Sequence, residues 1–416
     1  MERIPLAIVG CGGMGGRHLL GLKELYDSGL SNVELVAVCD LRRDNAEYLA
    51  DNAGQLLGRR PLVFEDMEQM VVAVQGLQAA SVTTDAGSHH IVAGAALGLG
   101  LHVLCEKPLA LTMRGCNLIL VAQQRSGKVL SVAENYRRDP MSRLTKALID
   151  GGAMGRPYMY VDMSVSAGNR IVITPWRHVK NQGGMLIDGG VHNADMMLDY
   201  MGDAVQVYAS VRLWERTRFK TEGGGVSGFY AHWHKEMPDS IEATADDTLM
   251  AVLYFASGTM GQWTQSYAGH GQGFGHRGVY GSIGSLRPGG TRNGRSPVLK
   301  LDGQDEITGD ALLGLVPGFH LDEITARLFG AERMGSYDVT FPEADRKLLA
   351  IEYHELGECV LQGVQPEVDG QAGRRALALC YAAFESAVQD RPVTLDEVEA
   401  EEVGTYEADV NAHWKI

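Results

Sequence analysis

The first 136 residues alternate between short apolar runs and segments that carry Leu, Ala and Met at helical spacing. Short apolar runs between helical segments are typical of buried parallel strands. Six strands separated by helices predict a doubly wound parallel sheet. The predicted strands cover residues 6–10, 33–40, 62–64, 78–84, 102–107 and 129–136.

After Tyr136 the pattern changes to runs in which apolar and polar residues alternate, which is typical of an antiparallel sheet with one covered face. Helices are predicted at 141–150 and at the end of the chain, where a Pro/Gly turn separates two of them. Two polar or glycine-rich stretches, 220–247 and 269–296, are predicted to be long loops. The alternating runs cover 158–167, 205–217, 248–255 and 259–267, and the closing helices cover 343–362 and 371–389.

The charge and composition of the chain limit the kinds of partner that it is expected to bind. Its 416 residues include 37 Lys and Arg against 52 Asp and Glu, a formal net charge of −15. An acidic balance argues against nucleic-acid and anionic-membrane partners, so a small molecule is the expected partner. The most apolar window, 86–104, holds three histidines and four glycines, so no membrane span is predicted. Without a signal-like segment or paired cysteines, a cytoplasmic protein with reduced thiols is expected.

A glycine cluster directly after the first predicted strand has the GxGxxG spacing, with Gly10, Gly12 and Gly15. Glycines there let backbone N–H groups at a helix N-terminus approach a pyrophosphate. Asp40 ends the second strand, where a carboxylate accepts hydrogen bonds from ribose hydroxyls, and this favours NAD. Arg42 follows and can pair with a 2′-phosphate, so NADP stays an alternative.

The segment Cys105-Glu106-Lys107-Pro108 ends the fifth predicted strand. Ligands of open α/β sheets bind beyond the carboxyl ends of the strands, so Lys107 is expected at the nicotinamide end of the dinucleotide. A surface lysine that merely closes a strand is the alternative.

A second glycine-rich segment, 183–195, contains Asp188 and His192. Four residues apart on a helix, they share one face, with Asp195 one turn beyond. A carboxylate beside an imidazole suits general-base chemistry near neutral pH. The alternative is a capping aspartate and a core histidine.

Together these features resemble the Gfo/Idh/MocA family of glucose–fructose oxidoreductases, inositol dehydrogenases and rhizopine-catabolism oxidoreductases, over nearly the whole chain. The resemblance implies an N-terminal Rossmann domain, residues 1–136, and a C-terminal α/β domain, residues 137–416, whose open, mainly antiparallel sheet often forms an oligomer interface. It also implies an active site between the domains. The matching segments are 10–16, 106–108, 135–138, 176–177, 183–195, 278–286 and 383–386.

The family resemblance assigns roles to residues of this chain. Lys107, Asp188 and His192 are the expected catalytic residues. Two departures from the family pattern are the segment 83–90 and the long insertion 220–247. The expected cofactor contacts are Gly10, Gly12, Gly13, Met14, Gly15, Asp40, Arg42, Thr84, His90, Glu106 and Lys107, and the expected substrate contacts are Tyr136, Arg138, Trp176, Arg177 and His178.

The predicted activity is hydride transfer between a secondary alcohol of a sugar, cyclitol or glycoside and NAD or NADP. The alternatives are a glycosidase or lyase that retains its NAD and uses transient oxidation, and a regulator that binds the cofactor without turnover. The alternating C-terminal strands predict a homodimer or homotetramer. No metal is predicted, because His232, His234 and Glu236 are better explained as part of a solvated loop.

Overall fold

The computed structural model describes residues 2–221 and 234–416. The chain divides into two units. The first unit contains residues 2–135, the short segment 234–236 and Asp345–Arg374, so part of the C-terminal region groups with the N-terminal sheet. The second unit contains 136–221, Met237–Ala344 and Arg375–Ile416.

The first unit is built on a six-stranded parallel sheet with the order β3-β2-β1-β4-β5-β6. The order reverses at β1, as in the doubly wound folds that bind dinucleotides. The predicted fold class of this part is confirmed, and the strands end one to three residues earlier than predicted or at the same residue. They are β1 (Ile4–Val9), β2 (Val33–Cys39), β3 (Leu62–Phe64), β4 (Ala79–Val82), β5 (His102–Glu106) and β6 (Leu130–Ala133).

Helices connect successive strands of this sheet. Three of them end at glycines in the left-handed conformation, Gly29, Gly58 and Gly127, where a side chain would be strained. The helices are α1 (Gly13–Ser28), α2 (Arg43–Leu57), α3 (Met67–Ala73), α4 (His89–Gly98) and α5 (Met113–Ser126).

The second unit contains a nine-stranded sheet with the order β16-β15-β14-β13-β7-β12-β11-β8-β17. Among the described strands of this sheet, only β7 and β12 pair in parallel, which confirms a mainly antiparallel sheet. A separate pair joins β9 (Thr217–Phe219) and β10 (Ser240–Glu242). The strands of the large sheet are β7 (Pro157–Ala167), β8 (Ala204–Arg212), β11 (Thr248–Phe255), β12 (Met260–Gly269), β13 (Phe274–Gly281), β14 (Gly284–Arg287), β15 (Val298–Leu301), β16 (Glu306–Thr308) and β17 (Val393–Thr394).

Helices α7, α8 and α12 contact this sheet. The two predicted closing helices are α10 and α11, each within two residues of its predicted start and at its predicted end. The helices after β6 are α6 (Pro140–Asp150), α7 (Met185–Asp188), α8 (Gly190–Met201), α9 (Glu323–Phe329), α10 (Phe341–Gln362), α11 (Gly370–Gln389), α12 (Leu395–Glu399) and α13 (Ala408–Trp414).

The prediction of a loop over 269–296 is wrong, because β13 and β14 lie within it. Glycines hid the alternating pattern, and the structure shows why they are needed. A Cβ at Gly281 would lie 2.4 Å from the carbonyl oxygen of Met154, and one at Gly284 would lie 2.4 Å from that of Lys300. The other predicted loop, 220–247, is only partly described, and His232 of its candidate metal cluster lies outside the described residues.

The two faces of the large sheet differ in exposure. Side chains such as Val207, Leu249 and Trp263 are buried, whereas their neighbours along the strands, such as Tyr208 and Met250, are exposed. The alternation is that of a sheet with one covered face.

All six cysteines lie within the described ranges, where they are buried and form no disulfide bond. No helix within the described ranges is long and apolar enough to cross a bilayer. Across those same ranges, no three His, Cys, Asp or Glu side chains are grouped as metal ligands would be.

Candidate active site

The glycine loop between β1 and α1 has the shape that a dinucleotide requires. Gly10 has a φ of +101°, and a Cβ there would lie 2.7 Å from the backbone nitrogen of Thr84. A Cβ at Gly15 would lie 2.3 Å from the carbonyl oxygen of Gly10, whereas one at Gly12 would meet nothing within 4 Å. Gly12 therefore leaves open space directly before α1, whose first residues are Gly13 and Met14. A pyrophosphate fits this space at the helix N-terminus.

Asp40 follows β2 and is tied to the glycine loop. Its Oδ2 accepts a hydrogen bond of 2.6 Å from the N–H of Cys11, and its Oδ1 accepts one of 2.8 Å from the N–H of Arg42. The exposed guanidinium of Arg42 pairs with Asp44 at 2.9 Å and with Glu236 at 3.4 Å. The hydrogen bond and charge of Asp44 raise the pKa of Arg42.

Residues 83–90 follow β4, and the structure gives the contacts of this segment. The hydroxyl of Ser88 donates to Oγ1 of Thr84 at 3.0 Å. His90 is buried at the start of α4, and this burial lowers its pKa. Its neighbour His89, which the sequence prediction did not include, lies 2.8 Å from the carbonyl oxygen of Pro108 through Nδ1.

Glu106 lies in a buried polar network beneath the carboxyl end of β5. Its Oε1 is 2.9 Å from Nε2 of His18, whose Nδ1 is 2.8 Å from the hydroxyl of Tyr353. Tyr353 also donates to Ser81 at 2.9 Å. Burial by itself raises the pKa of Glu106, but the hydrogen bond and charge of His18, with smaller contributions from nearby cations, lower it to about 2. The second oxygen of Glu106 accepts the backbone N–H of Lys107 at 3.1 Å.

In the second unit, glycines allow α7 and α8 to pack closely against β12. A Cβ at Gly189 would lie 2.1 Å from the hydroxyl of Tyr267, and one at Gly190 would lie 3.3 Å from the ring of Trp263. The single helix predicted for Asp188 and His192 is two short helices separated at Gly189, which keeps right-handed helical angles. Both residues are less than a tenth exposed.

Asp188 forms a buried ion pair with Arg177. Nε of Arg177 donates to Oδ2 of Asp188 at 2.8 Å, and its Nη1 donates to Thr174 at 2.7 Å. The guanidinium lies 4.2 Å from the ring centroid of Trp176. Burial and the charge of Asp188 also raise the pKa of Tyr267.

The imidazole of His192 stacks on the ring of Tyr136. The ring centroids are 4.0 Å apart and the planes differ by 3°. Arg138 is almost fully buried, whereas the preceding Arg137, absent from the predicted site, donates to Asp195 at 2.8 Å. The sequence does carry a signal for Asp195, because this residue lies one helical turn beyond His192.

His178 is also buried, and its Nε2 accepts the backbone N–H of Val172 at 2.8 Å. Burial and the charges of Arg218 and Arg177 lower the pKa of His178 to about 4. A neutral imidazole therefore holds the segment that carries Trp176 and Arg177.

The glycine loop and the strand order of the parallel sheet define the class of doubly wound, dinucleotide-binding proteins. Residues 4–134 match the oxidoreductase family with an NAD-binding Rossmann fold, and residues 146–395 match the C-terminal alpha/beta domain of that family. The chain belongs to this family, Gfo/Idh/MocA, and its first unit is an NAD-binding Rossmann domain.

Named relatives of this chain are dehydrogenases. Myo-inositol 2-dehydrogenase of Thermotoga maritima is 24% identical over 397 residues, which cover 94% of this chain and 99% of the relative. D-glucoside 3-dehydrogenase of Escherichia coli is 26% identical over 260 residues, 61% of this chain and 68% of the relative. The solved structure of levoglucosan dehydrogenase in complex with NADH has a TM-score of 0.70 and 20% identity, covering 95% of this chain and 99% of that one, and this likeness shows the fold.

The depressed pKa of Glu106 predicts a pH-dependent contribution to stability. This contribution is present above the ordinary pKa of 4.5 and is lost as the pH falls towards about 2. Between pH 5 and pH 2 the free energy of unfolding of the wild type should therefore fall more than that of Glu106→Gln, by up to about 3 kcal/mol. Denaturant unfolding at several pH values measures this difference. The control is the exposed Glu68→Gln, and an equal pH dependence in all three proteins would contradict the prediction.

The carboxylate of Asp40 directly after β2 predicts that the protein binds NAD more tightly than NADP. Asp40→Ala should weaken NAD binding by about 1–2 kcal/mol, because a charged hydrogen bond is lost, and should reduce discrimination against NADP. Titration calorimetry with both cofactors measures this, with the exposed Asp51→Ala on α2 as the control. A wild type that prefers NADP by about tenfold or more would contradict the assignment.

Proposed function

We propose that this protein is an NAD-dependent dehydrogenase that oxidises a secondary alcohol of a sugar, cyclitol or glycoside. The observation that carries the proposal is the stack of Tyr136 on His192, one helical turn from the buried pair of Asp188 and Arg177. An oriented imidazole of this kind suits removal of a hydroxyl proton. The relatives named for inositol and glucoside oxidation support the substrate class.

His192 is the general base in this proposal. Its imidazole accepts the hydroxyl proton of the substrate, and Asp188 orients the substrate or the imidazole. Lys107, at the carboxyl end of β5, donates a hydrogen bond to the substrate oxygen and stabilises its developing negative charge. The glycine loop and Asp40 hold the cofactor, whose nicotinamide, when bound, accepts the hydride.

The residues proposed for the substrate pocket contribute in two ways. The aromatic faces of Tyr136 and Trp176 suit the C–H faces of a polyhydroxylated ring. Arg177 and His178 already hold Asp188 and the backbone of Val172, so these two act mainly by positioning the pocket wall. The buried Arg138 contributes a positive charge to the same segment as Tyr136.

A substrate panel tests the proposed activity. Sugars, cyclitols and glycosides are incubated with the protein and NAD or NADP, and nicotinamide reduction is followed by absorbance. A dehydrogenase accumulates reduced nicotinamide in proportion to the oxidised substrate. Cleavage of a glycoside without such accumulation would instead support the alternative in which NAD is retained and oxidation is transient.

Lys107→Ala and His192→Ala should each lower turnover by roughly two to four powers of ten and leave NAD affinity nearly unchanged. The reason is that each side chain stabilises charge or transfers a proton in the transition state. Steady-state kinetics and NAD titration measure the two effects. The exposed residues of the same types supply controls, Lys300→Ala and His320→Ala. Parallel loss of folding and activity would favour purely structural roles.

We also propose that the exposed face of the large sheet joins copies of the chain into a dimer or tetramer. Tyr208, Met250, Val252, Tyr254 and Met260 are each between two-fifths and three-fifths exposed on neighbouring strands. A group of exposed apolar side chains of this kind on a protein surface is typical of an interface. Screening at physiological salt weakens the long-range repulsion between acidic chains.

Light scattering at micromolar concentration tests the assembly. The wild type should be a dimer or tetramer, and Val252→Lys should shift it towards the 45.0 kDa monomer, because a charge would be buried in the interface. The control is Val72→Lys, at a highly exposed position in the first unit. A fully active wild-type monomer would contradict the proposal.

A further inference from the structure

The segment between β14 and β15 has no role in the proposed function so far. It contains Arg292, whose φ of +58° lies in the left-handed region. A residue with a Cβ is strained there, and such strain persists only where the surrounding structure enforces it. The contacts of Arg292 explain what enforces this conformation.

The backbone of Arg292 is held by a fully buried carboxylate. Its N–H donates to Oδ2 of Asp139 at 2.7 Å, and the hydroxyl of Tyr337 donates to the same oxygen at 2.6 Å. The other oxygen of Asp139 accepts the N–H of Met141 at 2.8 Å and so begins α6. Asp139 therefore fixes the backbone of Arg292 to the segment that follows Tyr136.

The side chain of Arg292 contacts Tyr136 itself. Its Nη2 donates to the Tyr136 hydroxyl at 3.0 Å, and its Cζ is 4.9 Å from the centroid of the Tyr136 ring. The same Cζ is 4.7 Å from the centroid of the Phe341 ring. The ring that Arg292 holds is the one that stacks on His192 with a 3° angle between the planes.

We infer that Arg292 is a positioning residue for His192 and acts through Tyr136. The inference rests on the proposed function, in which His192 is the base. Arg292 holds the Tyr136 ring parallel to the imidazole, and its positive charge disfavours a second positive charge on that imidazole. This charge favours the neutral imidazole, which is the form that accepts a proton from a hydroxyl.

Other titratable and charged groups lie on the elements that carry His192 or pack against them. Asp188 is paired with Arg177, and Asp195 is paired with Arg137, which also lies 3.8 Å from Asp199. Tyr267 lies against Gly189, one residue after Asp188. These groups are the same in the wild type and in variants of Arg292, so a change between those proteins reports on Arg292.

The test is an NMR titration of His192 in the full-length chain with ¹³C-labelled histidine rings. His192→Gln assigns the resonance. Arg292→Met should raise the His192 pKa by about 0.5 unit or more and lower kcat near neutral pH by roughly tenfold, with the affinity for NAD within about twofold of wild type. Arg292→Lys, which retains the charge, should restore much of the pKa. The matched control is Arg295→Met, an exposed arginine of the same segment.

A second variant separates the inference from a simple loss of folding. Tyr136→Phe keeps the ring and removes only the hydroxyl that Arg292 contacts, so it should shift the His192 titration in the same direction by a smaller amount. Because Arg292 acts through Tyr136, the double variant should show less than the sum of the two shifts.

An unchanged His192 titration in Arg292→Met and Tyr136→Phe, or fully additive shifts in the double variant, would overturn the inference. The titration needs no substrate. A wild type that oxidises no member of the substrate panel would therefore overturn the proposed function, and the titration would still decide whether Arg292 positions His192.

Discussion

The buried ion pair between Arg177 and Asp188 is the interaction on which the candidate site depends. A carboxylate removed from water is stable only with a partner, and here the partner is itself buried beside Trp176. The ring of Trp176 fits only because residue 183 is a glycine, since a Cβ at Gly183 would lie 2.8 Å from the ring. The packing of Trp176 on Gly183 therefore holds Arg177 beside Asp188, four residues before His192.

In the Rossmann unit, too, a buried carboxylate depends on a partner. Glu106 is buried beside Lys107, and its charge is stabilised by His18, which in turn contacts Tyr353 of α10. Asp345 of the same helix accepts a hydrogen bond of 2.6 Å from Arg17 on α1. A segment more than 200 residues after the first sheet is thus part of the polar interior on which that sheet depends.

Much of the fold is predictable because its signals are local. Buried parallel strands leave apolar runs, and the glycines at 10, 12 and 15 directly follow one of them. Asp188 and His192 stand out because the other residues from 183 to 192 are apolar or glycine. Their roles in catalysis stay predictions.

The remaining features depend on contacts between distant residues. Strands β13 and β14 are rich in glycine, so their alternation is visible only once β7 and β15 supply the neighbouring backbone. Arg292 is separated from Tyr136 by more than 150 residues, and no periodicity links them. The same holds for Tyr353 and His18. Such pairs follow from topology, which a single sequence specifies only indirectly.

The central claim is that hydride passes directly from a carbinol carbon to the nicotinamide while His192 accepts the hydroxyl proton. Single-turnover experiments with carbon-perdeuterated myo-inositol, glucose and methyl glucoside, analysed by mass spectrometry of the nicotinamide, test it most directly. The account predicts one deuterium in each reduced nicotinamide with at least one substrate, and a strongly slowed transfer in His192→Ala. Loss of substrate deuterium to solvent without reduced nicotinamide in solution would contradict it.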